Sequence, residues 1–144
     1  MTVWRISQHA DLSGIGGVYA SGRWHSRGRP VVYLADHPAS CLLEMLVQGA
    51  RLAALPVAYQ WLQIETAEAS IGEAGALPDD WRDDIGATRS LGDTWLRQRS
   101  TPLLRVPSVI VPAAWNYLLN PAHPDAGRCQ IASTVRFPLD PRLR

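Results

Sequence analysis

The sequence predicts a single α/β (α+β) domain over residues 1–144. Three observations predict it. The length of 144 residues suffices for one hydrophobic core and not for two. A chain with 47% hydrophobic and 19% charged residues has the balance of a globular protein, not of a disordered or fibrous one. Short runs rich in branched and aromatic residues, bounded by glycine and proline, interleave with two longer helix-like stretches.

Residues 2–7 read as a short first strand. Residues 8–22 form a loop with Ser13-Gly14, Gly16-Gly17 and Ser21-Gly22, where the backbone could approach a ligand closely. Most such loops are only turns; this one leads directly into Arg23. Residues 30–35 make a buried strand, broken by Asp36-His37-Pro38. Asp36 or Ser40 would cap a helix over residues 39–53, with Pro38 in its first turn. Leu42, Leu43, Met45, Leu46 and Val47 make that helix apolar nearly all round, which reads as burial, and Leu55-Pro56 stops it. Residues 57–65 alternate as a strand, with Val57, Tyr59 and Trp61 opposite Ala58, Gln60 and Leu62.

Residues 66–88 carry Glu68, Glu73, Asp79, Asp80, Asp83 and Asp84 among glycines and prolines, and read as a solvated surface segment. Residues 90–98 read as a helix with Leu91, Trp95 and Leu96 inward and Arg97 and Arg99 outward. Residues 103–112 form a strand pair or one strand bent at Pro107, residues 115–120 a turn-like or helical segment ended by Pro121, and residues 128–137 a last strand. The tail from Asp140 is either loose or a partner contact.

Composition narrows the function classes. Net charge is +1, from 14 basic and 13 acidic side chains, which does not suggest electrostatic binding to nucleic acid, since that usually needs a basic face. The N-terminus lacks a charged-then-apolar signal pattern and no apolar run is long enough for a bilayer, so a cytoplasmic, non-membrane protein is expected. Cys41 and Cys129 do not make a disulfide framework, and Cys41 suits a core. His9, His37 and His123 fall in loops without zinc-ligand spacing, and the acidic segment lacks EF-hand spacing, so no metal is expected. The surroundings of Ser108, Val-Pro-Ser-Val-Ile, are not a hydrolase nucleophile elbow.

The chemistry concentrates in GRWHSRGRPVVYLADHPASCLLE, residues 22–44. Glu44 stands inside an apolar helix, where a carboxylate is costly unless paired or functional. Either it pairs with Arg23, Arg51 or another cation, or it is a catalytic carboxylate facing a cleft. Ser108 either points its hydroxyl into that cleft from the kink after Pro107 or is a turn serine bonding its own backbone.

This stretch, continued through Met45-Leu46-Val47, resembles the signature of the RES domain, the toxin of RES–Xre toxin–antitoxin pairs. The family's arginine and glutamate fall on Arg23 and Glu44, its active-site tyrosine on Tyr33, and its serine on Ser108 within VPSVIVPAAWNYLLNPAHPD. Trp4-Arg5-Ile6 also fits, and the resemblance covers essentially the whole chain. His25 stands where the family has asparagine, and Gln48 where a histidine often closes the helix. The resemblance implies a split, curved β-sheet similar to that of ADP-ribosyltransferases, with NAD as substrate. Glu44 would stabilise an oxocarbenium-like transition state, as in glycoside hydrolysis. Arg23 would grip phosphate, Tyr33 would stack on nicotinamide or hold the ribose, and Ser108 would bond phosphate or carboxamide. Arg27 and Arg29 could add phosphate contacts or simply be exposed turn residues, and Asn116 could bind NAD or hydrogen-bond a loop. Inorganic phosphate or water as acceptor gives NAD degradation, which is the favoured outcome. A protein side chain as acceptor gives ADP-ribosylation. A non-catalytic domain that only binds a partner is the remaining class. The expected partner is an Xre-like antitoxin that covers the cleft and itself binds DNA, with toxin homodimerisation inside the complex.

Overall fold

Among the described residues, seven strands form one sheet. The computed structural model describes residues 1–49, 59–136 and 140–143. The strands are β1 (Thr2–Ser7), β2 (Val32–Ala35), β3 (Gln60–Glu65), β4 (Ile71–Glu73), β5 (Leu103–Pro107), β6 (Trp115–Leu119) and β7 (Gln130–Arg136). Helices are α1 (Gly16–Tyr19), α2 (Pro38–Val47) and α3 (Ile85–Gln98). In the sheet order β4-β5-β6-β2-β1-β3-β7, only β4 and β5 run parallel among the described residues; every other neighbouring pair is antiparallel.

The sheet is weakest at its middle. β1 and β3 pair over six positions and β2 and β6 over four, whereas β1 and β2 meet only at Trp4 and Ala35. The sheet therefore divides into two halves joined at one point, as the expected split sheet requires. One face carries Val3, Leu62 and Ile64 from one half and Val32, Leu34, Leu103 and Leu119 from the other, in a single buried cluster. No α-helix residue joins that cluster among the described residues; Leu12, Ala69, Ala126 and Cys129, from loops and a 3-10 turn, pack onto it.

The opposite face carries the helices. α2 packs on Ile6 and Ala35 through Cys41, Leu42 and Met45. α3 packs on Leu104, Val106 and Leu118 through Trp95, Leu96 and Leu91. Tyr59 and Trp61 of the third strand region lean on the α2 cluster while Leu62 and Ile64 face the other side, the alternation the sequence shows.

Several expectations are corrected. Residues 115–120 are neither turn nor helix: β6 lies between β2 and β5, and pairing on both edges decides the state of a short apolar run that periodicity leaves ambiguous. α2 is not buried all round. Leu43, Leu46 and Val47 are 39%, 42% and 68% exposed, because only the side bearing Cys41, Leu42 and Met45 meets the sheet. Its cap is His37, whose Nδ1 accepts from the Ala39 N–H at 3.1 Å. Asp36 instead accepts from the Trp115 N–H at 3.0 Å and ties β2 to β6. The segment 66–88 contains β4, and α3 starts at Ile85 behind an Asp84 cap, five positions before the expected start. α2 ends at Val47, with Gln48 as its C-cap and Gly49 at positive φ, six positions before the expected end at 53. The expected stop at Leu55-Pro56, the strand start at Val57, the ion-pair candidate Arg51 and the strand end at 137 lie outside the described residues.

Candidate active site

Strand register places the candidate residues on the helix-bearing face. Tyr33 lies opposite Leu118, and Ala35 opposite Asn116, so Tyr33 and Asn116 are diagonal neighbours on one face. Val106 flanks Asn116 on the other side, and Ser108 follows two residues later, just past the end of β5. Asn116 thus sits between the ground covered by α2 and that covered by α3.

Glu44 enters from α2. Its Oε1 accepts from Asn116 Nδ2 at 2.9 Å, and among the described residues it forms no ion pair. Of the two readings of Glu44, the pairing with Arg23 does not occur. Asn116 Oδ1 is buried and has no hydrogen-bond partner among the described residues, leaving an acceptor beside the carboxylate.

Arg23 is held by carbonyls. Its Nη2 donates to Trp81 O and to Arg82 O, both at 2.6 Å, and its guanidinium lies 5.9 Å from the Trp81 ring centroid. Its Nε is buried and has no hydrogen-bond partner among the described residues. The loop that carries Arg23 is mounted on α3. Thr88 Oγ1 donates to Arg23 O at 2.7 Å, Arg89 Nε donates to Gly22 O at 2.8 Å, and Asp93 Oδ1 accepts from the Ser26 N–H at 2.8 Å. Gly92 lets the helix meet the loop, since a Cβ there would fall 2.8 Å from the Trp24 carbonyl carbon. Positions 88, 89, 92 and 93 make one helix face.

Tyr33 points at the same loop. Its hydroxyl accepts from the Trp24 N–H at 3.1 Å and lies 2.7 Å from His25 Nδ1. A Cβ at Gly22 would press on the ring at 2.8 Å, so glycine is required where the loop crosses Tyr33. Burial pushes the Tyr33 phenol well above the ordinary tyrosine range, and the Trp24 hydrogen bond opposes this only in part.

Ser108 takes the turn role. Its buried Oγ accepts from the Ile110 and Val111 N–H groups, each at 3.1 Å. Arg27 is exposed in its turn, and so is Arg29. Sequence reasoning passed over Arg5, whose Nη1 donates to Tyr33 O at 3.1 Å across the thin β1–β2 joint. Burial lowers its pKa from the usual guanidinium value. Gln48 ends α2 as an exposed residue.

No metal-ligand group of three or more His, Cys, Asp or Glu side chains occurs among the described residues. No described helix is long and apolar enough to cross a membrane. Two depressions, of about 580 and 310 Å³, are lined by α3 with β4 and by residues 28–30 with Arg99 and Asn120, and not by Arg23, Tyr33 or Glu44.

The RES domain family model matches residues 2–140. The chain belongs to the RES family. Among RES relatives, "Toxin Res" of Pseudomonas putida is 44% identical over 99% of both chains. "Prs ADP-ribosylating toxin" of a Sphingobium species is 36% identical over 97% of this chain and 94% of its own. "Toxin Res" of Yersinia enterocolitica is 33% identical over the full length of both. Among solved structures, the M. tuberculosis MbcT–MbcA toxin–antitoxin complex superposes with a TM-score of 0.78, covering 99% of this chain and 85% of the matched one. At 21% identity that likeness shows the fold alone.

Proposed function

We propose that this RES domain is the toxin of a toxin–antitoxin pair and that it binds NAD and breaks the nicotinamide–ribose bond. One observation carries the reading. Arg23 and Glu44 are each held by neutral partners, carbonyls and an amide, and not by each other. Each keeps a charge that a ligand can meet. NAD offers an anionic pyrophosphate and a cationic nicotinamide ring, the complement of both.

In this reading the Arg23 guanidinium, with Nε unpartnered, donates to the pyrophosphate. Asn116 fixes one oxygen of Glu44, and the carboxylate faces the ribose. As the C1–N bond breaks, its electron pair leaves with the nicotinamide nitrogen and positive charge develops on the ribose, where Glu44 stabilises it. The Asn116 Oδ1 acceptor suits a ribose hydroxyl or the carboxamide N–H₂. Tyr33 contributes its ring. Ser108 holds the loop beside Asn116, and Arg27 remains free for an outer phosphate. A phosphate oxygen forming the new C1–O bond completes phosphorolysis; water completes hydrolysis. The partner is an Xre-like antitoxin that covers this face, within a complex in which the toxin dimerises, in the cytoplasm.

Purified protein mixed with NAD, with and without inorganic phosphate, tests the reaction. Nicotinamide release that requires phosphate and yields a phosphorylated ADP-ribose is expected, and Glu44→Gln should abolish it. Full activity of Glu44→Gln would remove Glu44 from the mechanism. A second reading, ADP-ribosylation of a protein, is favoured by the name of the Sphingobium relative. It predicts label transfer from NAD to a protein and little free ADP-ribose product.

A further inference from the structure

His25 is 2% exposed, and its two ring nitrogens have different partners. Nε2 lies 3.2 Å from Gly17 O, and Nδ1 lies 2.7 Å from the Tyr33 hydroxyl. The Gly17 carbonyl can only accept, and it also accepts from the Gly28 N–H at 3.2 Å. The hydrogen of the Nε2 contact must therefore sit on the imidazole. With a single N–H on the ring, Nδ1 presents a lone pair and the Tyr33 hydroxyl donates to it. The hydroxyl meanwhile accepts from the Trp24 N–H. One orientation satisfies all three groups.

The surrounding backbone is built to this arrangement. A Cβ at Gly17 would lie 3.1 Å from His25 Nε2 and 2.7 Å from Arg29 O, and a Cβ at Gly22 would lie 3.1 Å from His25 Nδ1. The Gly22 N–H donates to His25 O at 3.0 Å and closes the turn that carries Arg23.

We propose that His25 is a positioning residue that draws the Tyr33 hydroxyl hydrogen away from the site. Tyr33 then meets substrate through its ring and one remaining oxygen lone pair, and does not act as a proton donor. An asparagine in place of His25 can do the same, because its Oδ1 accepts from a phenol. The kinetic consequence rests on the NAD reading; the tautomer does not.

Nitrogen NMR of histidine-labelled protein tests the tautomer. The His25 ring should carry hydrogen on Nε2 alone, with a hydrogen-bonded Nδ1 whose signal moves in Tyr33→Phe. A ring protonated on Nδ1, singly or together with Nε2, would overturn the proposal. Turnover of NAD tests the consequence. His25→Leu should lower kcat roughly five- to tenfold, the worth of one hydrogen bond, with little change in KM. His25→Asn should restore most of it, and His25→Leu with Tyr33→Phe should be no worse than the poorer single variant. Additive losses, or no rescue by asparagine, would overturn it. A wild-type protein that releases no nicotinamide removes the NAD reading while the NMR result still decides the role of His25.

Discussion

Gly92→Ala sets two forces against each other on α3. Helix propensity alone predicts stabilisation of about 1 kcal/mol, since alanine is the better helix former. Packing predicts the opposite. The new Cβ would fall 2.8 Å from the Trp24 carbonyl carbon and closer still to its oxygen. Carbon contacts sit at about 3.5–4.0 Å and the oxygen lies nearer than the carbon, so helix and loop must part by more than roughly 1 Å. That movement stretches the bonds from Thr88 to Arg23 O, from Arg89 to Gly22 O and from Ser26 N to Asp93, now 2.7, 2.8 and 2.8 Å. At about 1 kcal/mol each they total about 3 kcal/mol, and overpacking adds about 1–3. After the propensity gain, a net loss of about 3–5 kcal/mol remains, or roughly 9–15 °C in Tm for a domain of this size. Thermal and urea unfolding measure it. A Gly92→Ala protein as stable as wild type, or more so, would show that the α3–loop contact is not the mount of Arg23.

Asn116→Asp removes the amide donor to Glu44 and sets two carboxyl groups side by side. Nicotinamide release at pH 7 should fall roughly 10- to 100-fold and recover in part as the pH is lowered and the pair shares a proton; a flat pH response would refute the pairing. Ser108→Ala strands the Ile110 and Val111 N–H groups and should cost about 0.5–2 kcal/mol in denaturant unfolding, whether or not NAD is present. Burial pushes the Cys41 thiol up from 9.0 to about 12, so the native protein should resist thiol reagents at pH 8. The unfolded thiol ionises near pH 9 and the folded one does not, so this group leaves stability intact below that pH and lowers it progressively up to about pH 12. Rapid labelling of Cys41 under native conditions would contradict its burial.

Residues 22–44 announced much of the site in the sequence, because a carboxylate in an apolar helix and an arginine after glycine are local oddities. β1, β2 and β7 were legible from their composition, and the direction of Trp95 and Leu96 from helical spacing. What stayed hidden depends on partners distant in sequence. β6 resembles a turn or helix until β2 and β5 flank it. Glu44 pairs with Asn116, 72 positions away, and Arg23 with carbonyls 58 and 59 positions away. Thr88, Arg89, Gly92 and Asp93 look like an ordinary solvated helix face, since nothing local shows that this face meets a loop backbone. His25 looked like a change of residue type in a turn, and only its two hydrogen-bond partners show what a histidine does there.

The use of neutral mounts has a consequence for how the site responds to what covers it. Had Arg23 and Glu44 paired with each other, a ligand would have to break that pair before gaining either charge, and the exchange would be nearly neutral. Carbonyls and an amide orient the two groups without cancelling them, so both charges favour an incoming zwitterionic ligand from the start. The same openness exposes the site to a protein that offers a carboxylate and a cation in the right places. In the proposed reading, an antitoxin that covers this face would compete with NAD by satisfying Arg23 Nε and Asn116 Oδ1, the two buried side-chain polar atoms without partners among the described residues. The exposed Leu43, Leu46 and Val47 on the outer side of α2 offer apolar area close to Glu44 for such a cover.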